Sequence, residues 1–154
     1  MNLRKRNGLA MICMMLLVLC ALIPALGESY GADIMRLLRY DGSVEILDVT
    51  GNSRFVMENV RFSSGETMRT GAAASASVSL DDTKIVSLDE NSSVKFEKDG
   101  QHMKLTLTEG TLFLDVAEKL NENQSLDIQT SNMTVGIRGT IVYLTTLPST
   151  AAME

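Results

Sequence analysis

Beyond an N-terminal apolar run, the chain alternates apolar and polar positions in short stretches, with turn residues between them. Successive side chains on a strand point to opposite faces, so this period-two pattern predicts strands rather than helices. The alternation is cleanest in the middle. Met103, Leu105 and Leu107 share one face, and Lys104, Thr106 and Thr108 share the other. Leu112, Leu114 and Val116 repeat the pattern, as do Val94 and Phe96. Helical periodicity is nearly absent.

The predicted elements follow from where the turns fall. Strands at 34–40 and 43–49 flank Asp41-Gly42, a step suited to a tight turn with positive φ, so a hairpin is expected there. Residues 50–65 read loosely, with a strand at 54–57. The stretch 65–76 is rich in small residues and leads into a strand at 77–80. Strands at 84–88, 93–97, 101–108 and 111–116 are separated by Asp89-Glu90-Asn91, by Lys98-Asp99-Gly100 and by an expected turn at Glu109-Gly110. Residues 117–125 form a polar loop or short turn, and strands at 125–130, 132–137 and 140–146 follow. The fold class is therefore all-β, with short strands in a solenoid-like or a twisted two-layer sheet. Absent Trp and few aromatics favour a thin core of Leu, Ile and Val.

The N-terminus adds a targeting segment. Arg4, Lys5 and Arg6 precede an apolar run from Leu9 to Ile23, and Ala25-Leu26-Gly27 supplies small residues at a cleavage site. This is the three-part pattern of a secretory signal peptide, whose helix precedes the β domain. The run is shorter than the roughly 20 residues that span a bilayer. Leu19 before Cys20 is too large for a lipoprotein signal. We expect a signal peptide at 1–27, a β domain at 28–147 and a disordered tail at 148–154. The strand at 140–146 has no following partner, which makes the C-terminal edge a candidate for truncation. The expected location is outside the cytoplasm, secreted or in the cell envelope. Membrane contact would come only through an uncleaved signal anchor.

Composition then removes several classes of chemistry. The only cysteines, Cys13 and Cys20, lie in the signal segment. Disulfides and thiolate chemistry are therefore not expected of the exported part. Three of the 14 basic residues and none of the 19 acidic ones lie in that segment, leaving 11 against 19 beyond it. Such an acidic surface argues against nucleic acid, whose binding depends on neutralising phosphates. His102 is the only histidine and falls on the polar face of its strand, so neither a zinc site nor a Ser-His-Asp triad is expected. Asp81-Asp82 and Asp89-Glu90 are adjacent carboxylates that shape turns rather than share a proton. No catalytic residue, metal site or cofactor is expected.

The stretches GETMRTGAAASASVSLDDTKIVSLDENSSVKF (65–96), LTEGTLFLDV (107–116) and IQTSNMTVGIRGT (128–140) resemble the FecR-like domain. That family has a G-D-x-hydrophobic-R-T-G segment, an alternating strand pair, a glycine-led strand and a late V-x-G-T. The resemblance covers roughly residues 34–143. Glu66 stands where the family often has Asp, and Ser131-Asn132 replaces a usual Pro. The motif residues are Gly65, Arg69, Thr70, Gly71, Gly110, Gly136, Arg138, Gly139 and Thr140, with a structural or a binding role.

Two readings stand for Arg138. It contacts an anion beside a backbone nest, or it donates to carbonyls left unpaired by a bend at Gly136 and Gly139. Arg69 stands under the same pair of readings. The small run from Gly71 to Ala76 marks close backbone approach. It is not a phosphate loop, because no helix follows it.

The resemblance implies an extracytoplasmic β module. The founding members regulate sigma factors in iron-siderophore signalling, through a cytoplasmic domain and a periplasmic part that meets a receptor. Only eight residues precede the apolar run here. The expected function is therefore a non-catalytic exported recognition or sensing module that binds a protein or a cell-envelope polymer. The alternatives are a structural or assembly domain of a surface protein, and the extracytoplasmic part of a sigma-factor signalling system.

Overall fold

The computed structural model describes residues 34–139 and 141–146. The expected signal-peptide helix, the tail and Thr140 lie outside the described residues. The described part falls within one compact unit, Gly31–Glu154. It has no helix and eleven strands: β1 (Arg36–Asp41), β2 (Val44–Leu47), β3 (Ser53–Arg54), β4 (Thr67–Thr70), β5 (Ser75–Asp81), β6 (Lys84–Leu88), β7 (Ser93–Asp99), β8 (His102–Val116), β9 (Ser125–Gln129), β10 (Thr134–Ile137) and β11 (Val142–Thr146).

The strands form one curled network with two leaves. The first runs β1-β5-β6-β8-β11, and the second β3-β2-β4-β7-β8-β9-β10. Every pairing is antiparallel except β8 with β9. The described residues are thus all-β, as expected, in a curled and mostly antiparallel sheet.

The leaves are joined by β8, and here the expected turn at Glu109-Gly110 is corrected. Residues 102–116 are one long strand. Its first half pairs with β7 and β9, and its second half with β6 and β11. Opposite Ser93 and Val94 the register skips a residue at Thr108, a β-bulge, and Gly110 follows at φ +84°. A bulge bends its strand and increases the local twist. Met103, Leu105 and Leu107 face inward before the bend, and Leu112, Leu114 and Val116 after it. The inward set moves from odd to even positions across the corner.

The expected hairpin at Asp41-Gly42 is also corrected. β1 pairs with β5 in the first leaf, whereas β2 pairs with β3 and β4 in the second. Gly42, at φ +73°, turns the chain from one leaf to the other. A Cβ there would lie 2.9 Å from the Cα of Ala74. The small run after Thr70 gives room for this close approach.

The inward side chains of both leaves join in one apolar cluster, from Leu37, Val78 and Leu114 of the first to Ile46, Phe96 and Ile128 of the second. Phe62 packs its ring 5.2 Å from that of Phe96 at 52°, a tilted geometry that aromatic pairs favour. Fully burying a side chain of this size contributes about 1.5–3 kcal/mol. With no disulfide possible in this part of the chain, the cluster carries the stability. Leu120, buried in the loop after β8, brings that otherwise polar connection onto the domain.

Candidate functional site

The motif residues do not gather at a cleft. Three of them converge on the turn between β6 and β7, Asp89 to Ser92, whose Asn91 takes φ +52°. Thr70 ends β4 beside this turn and is buried. Its backbone N–H donates to the Ser92 carbonyl at 2.9 Å. Its hydroxyl donates to the Asp89 carbonyl at 2.5 Å and accepts from the Ser92 N–H at 2.9 Å. A threonine hydroxyl offers one donor and two acceptor positions, so one side chain satisfies both ends of the turn.

Gly71 continues the clamp. It accepts from the Asn91 N–H at 3.1 Å and donates to the Ser43 carbonyl at 2.8 Å. A side chain at Gly71 would start 3.3 Å from the Ser43 Cβ. Ala73, itself at φ +54°, donates its N–H to the Glu90 carboxylate at 2.7 Å.

Gly110 closes the corner from β8. A Cβ there would lie 2.3 Å from Ser92 Oγ, 2.5 Å from Ser92 Cα and 2.6 Å from the Asn91 carbonyl oxygen. Next to it, the Thr111 N–H donates to Ser92 Oγ at 2.9 Å, and the Asp89 N–H donates to the Thr111 carbonyl at 3.2 Å. Ser92 is 1 % exposed. The sequence reading missed its part, because only the fold brings β4, the turn and β8 together. Among the described residues, no buried side-chain polar atom lacks a partner.

The other motif residues serve elsewhere. Gly65, at φ +93°, sits where a Cβ would lie 2.8 Å from Val49 Cγ1, and its N–H donates to the Phe96 carbonyl at 2.7 Å. Glu66 beside it is 4 % exposed. Its carboxylate accepts from the Ser63 N–H at 2.9 Å and pairs with Arg54. Arg69 is exposed on β4, opposite Glu45 of β2.

At 136–139 the structure separates the two glycines. Gly136 lies inside β10 in register with Asp127, without positive φ. The turn is at Gly139, φ +121°, where a Cβ would lie 2.8 Å from the Cα of Lys119. The Arg138 side chain is exposed, and among the described residues it makes no hydrogen bond.

A second polar assembly covers the outer face of the second leaf. Asp99, His102 and Ser125 form one cross-strand row, and Glu97, Lys104 and Asp127 the next. They line a shallow hollow of about 390 Å³. Lys95 and Lys104 reach the Glu97 carboxylate at 3.0 and 2.7 Å. The hydrogen bonds from Lys104 first and Lys95 second hold that carboxyl below its ordinary range.

His102 Nδ1 lies 2.8 Å from Ser125 Oγ. The parallel crossover from β8 to β9 creates this contact, which no local pattern announces. Among the described residues nothing bonds the other ring nitrogen. No group of three or more His, Cys, Asp or Glu among the described residues could hold a metal ion.

These features define an all-β domain in which residues of the motif fix turns and a strand corner. The family model described as FecR protein matches residues 66–152, more than half of the 154-residue chain. The chain belongs to the FecR protein family. The matched span begins at Glu66, next to the first turn glycine of the motif, and includes the whole Thr70–Ser92–Gly110 corner. Searches of curated proteins and of solved structures return no match.

Proposed function

We propose that this chain is a non-catalytic recognition module of a signalling system, exported by its N-terminal segment, that binds a protein or a cell-envelope polymer through its outward faces. Membership of the FecR family points to signalling related to sigma-factor regulation. One observation carries the rest. The polar motif groups at the corner are consumed inside the fold, with Thr70 and Ser92 bonded on both sides of their turn. They hold shape and leave no nucleophile or base to a substrate. The groups left to meet a partner are on the surface, above all the charged ladder of Glu97, Lys104 and Asp127. Charged groups across an interface set specificity and encounter rate more than raw affinity. The acidic excess beyond the signal segment supports a partner that is neither nucleic acid nor anionic lipid.

The test is capture from envelope extract with the full chain as bait, beside a Glu97→Lys/Lys104→Glu double variant. The reading predicts a retained partner that the double variant loses while its melting temperature stays unchanged. Identical capture by both proteins would remove this face from the account.

A further inference from the structure

The outer face of the first leaf is not flat. Cross-strand partners project from the same side of a sheet. The pairings therefore place Arg39, Ser77, Ser87, Phe113 and Tyr143 in one row across β1, β5, β6, β8 and β11. Two short serines stand in the middle of this row, between the arginine and two aromatic rings. The next row begins with Asp41 and Ser75 and ends with Thr111 and Thr145. Two hollows follow from these differences in height. One, of about 340 Å³, lies among Arg39, Asp41 and the serines. The other, of about 210 Å³, lies among Ser87, Thr111, Phe113 and Tyr143. They share Ser87, so they form one trough that runs across the strands. From β1 to β11 it crosses four strand spacings of about 4.8 Å, a length of about 19 Å.

The floor of the trough is built of hydroxyls. Ser77 and Ser87 join Oγ to Oγ at 3.1 Å, and Thr111 and Thr145 join Oγ1 to Oγ1 at 3.2 Å. A hydroxyl has one donor and two acceptor positions, so each pair keeps a donor and acceptors beyond its mutual bond. Phe113 is 38 % exposed and Tyr143 67 %, and they stand opposite each other as an aromatic platform at one end. Arg39 and Asp41 bring a cation and a carboxylate to the other end, and Asp89 lies beside the platform.

We propose that this trough binds a neutral oligosaccharide, with about three linked pyranose rings laid across the strands. The proposal rests on the recognition reading above but uses a face other than the Glu97 ladder, so either can fail alone. Each part of the trough matches a part of a sugar. A pyranose has an apolar C–H face that stacks on an aromatic ring, and a rim of hydroxyls that both donate and accept. Phe113 and Tyr143 receive the first, and the paired serines and threonines receive the second. Arg39 donates to sugar oxygens, and Asp41 and Asp89 accept from sugar hydroxyls. A peptide strand fits less well. Main-chain recognition uses a sheet edge, whereas the trough lies on a face where β5, β6 and β8 already pair with one another. An anionic polymer also fits less well, because Asp41 and Asp89 outnumber Arg39 along the trough.

The test titrates the full chain with N-acetylchitotriose, cellotriose and maltotriose and follows amide chemical shifts. At least one trisaccharide binds, about tenfold or more tighter than its monosaccharide, because the trough engages several rings. The shifts fall on Ser77, Ser87, Thr111 and Phe113 and spare Glu97, Lys104 and Asp127. A Phe113→Thr/Tyr143→Thr variant keeps strand-forming residues at both positions. It binds about tenfold or more weakly at unchanged melting temperature. Tyr143→Thr alone, at the more exposed of the two positions, gives a smaller loss. Binding of none of the three sugars overturns the proposal, as does equal binding by the double variant. So do tighter binding of a sulfated heparin tetrasaccharide and shifts confined to the Glu97 ladder.

Discussion

Replacing Gly110 with alanine tests the corner, because two separable costs meet there. The first is conformational. Gly110 holds φ +84°, and a residue with a Cβ pays about 1–2 kcal/mol to enter the left-handed region. The second is collision. The new methyl would sit 2.3 Å from Ser92 Oγ and 2.5 Å from Ser92 Cα, and the turn that must yield is itself clamped by Thr70. Overpacking a tight site costs about 1–3 kcal/mol. Alanine also restricts the unfolded chain, which returns about 0.4–1 kcal/mol. The net loss is about 2–4 kcal/mol, large against a typical domain stability of about 5–15 kcal/mol.

Gly100→Ala supplies the comparison. Gly100 also has positive φ, +57°, but nothing lies within 4 Å of its Cβ position. It pays the conformational cost alone, for a net loss of about 0.5–1 kcal/mol. Urea unfolding separates the two. With a slope of about 1.5 kcal/mol per molar, the midpoint falls by about 1.3–2.7 M for Gly110→Ala and by under about 0.7 M for Gly100→Ala. Equal shifts in the two variants would refute the close approach of Ser92 to β8.

Thr70→Val should cost about 1–3 kcal/mol, because it leaves the Asp89 carbonyl and the Ser92 N–H without their buried partner, whereas Thr70→Ser should recover most of the loss in the same urea titration. Arg138→Ala should change stability by no more than about 0.5 kcal/mol, as for other exposed positions; a drop above 1 kcal/mol would reinstate a tether. Asp81 sets an acid limb. Burial raises its carboxyl, but the Lys84 ammonium at 2.6 Å and the Thr83 N–H outweigh that and leave it below the ordinary range. A depressed carboxyl adds stability that is complete above its unfolded value of about 3.9 and is lost as pH falls through the folded value. Lys84→Met should therefore flatten the fall in melting temperature below about pH 4.

Much of the strand pattern was legible in the sequence, because alternation reports burial directly. Lys84–Leu88 and Ser93–Asp99 stand at or close to their predicted bounds. What alternation cannot show is which strand pairs with which. The Asp41-Gly42 step looks like a hairpin locally, but β1 finds more partners in β5 than β2 could give it, and the chain crosses leaves instead. At Glu109-Gly110 the clue was present. The apolar set slips from odd to even positions between Leu107 and Leu112, as a bulged corner requires. A turn explains the same slip, and only pairing on both halves of β8 decides between them. β4 went unread because Thr67–Thr70 is four residues long and opens a run of small ones.

The candidate residues were legible as a motif but not as a mechanism. The Thr70-Gly71 pair and Gly110 are far apart in sequence, and Ser92, which links them, carries no local signal. Arg138 drew attention by standing between two glycines. Gly136 proves to be an ordinary strand position, and the arginine is exposed.

The most direct test of the account is amide hydrogen exchange at Ser92. This amide belongs to a turn, where exchange is ordinarily fast, yet it is buried and donates to Thr70 Oγ1 at 2.9 Å. The account predicts protection approaching that of the core strands, lost locally in Thr70→Ala while the amides of β5 and β6 keep theirs. Exchange at Ser92 of the unaltered chain as fast as in the exposed loop at Asn121–Asn123 would contradict the claim that the FecR motif is a clamp on this turn.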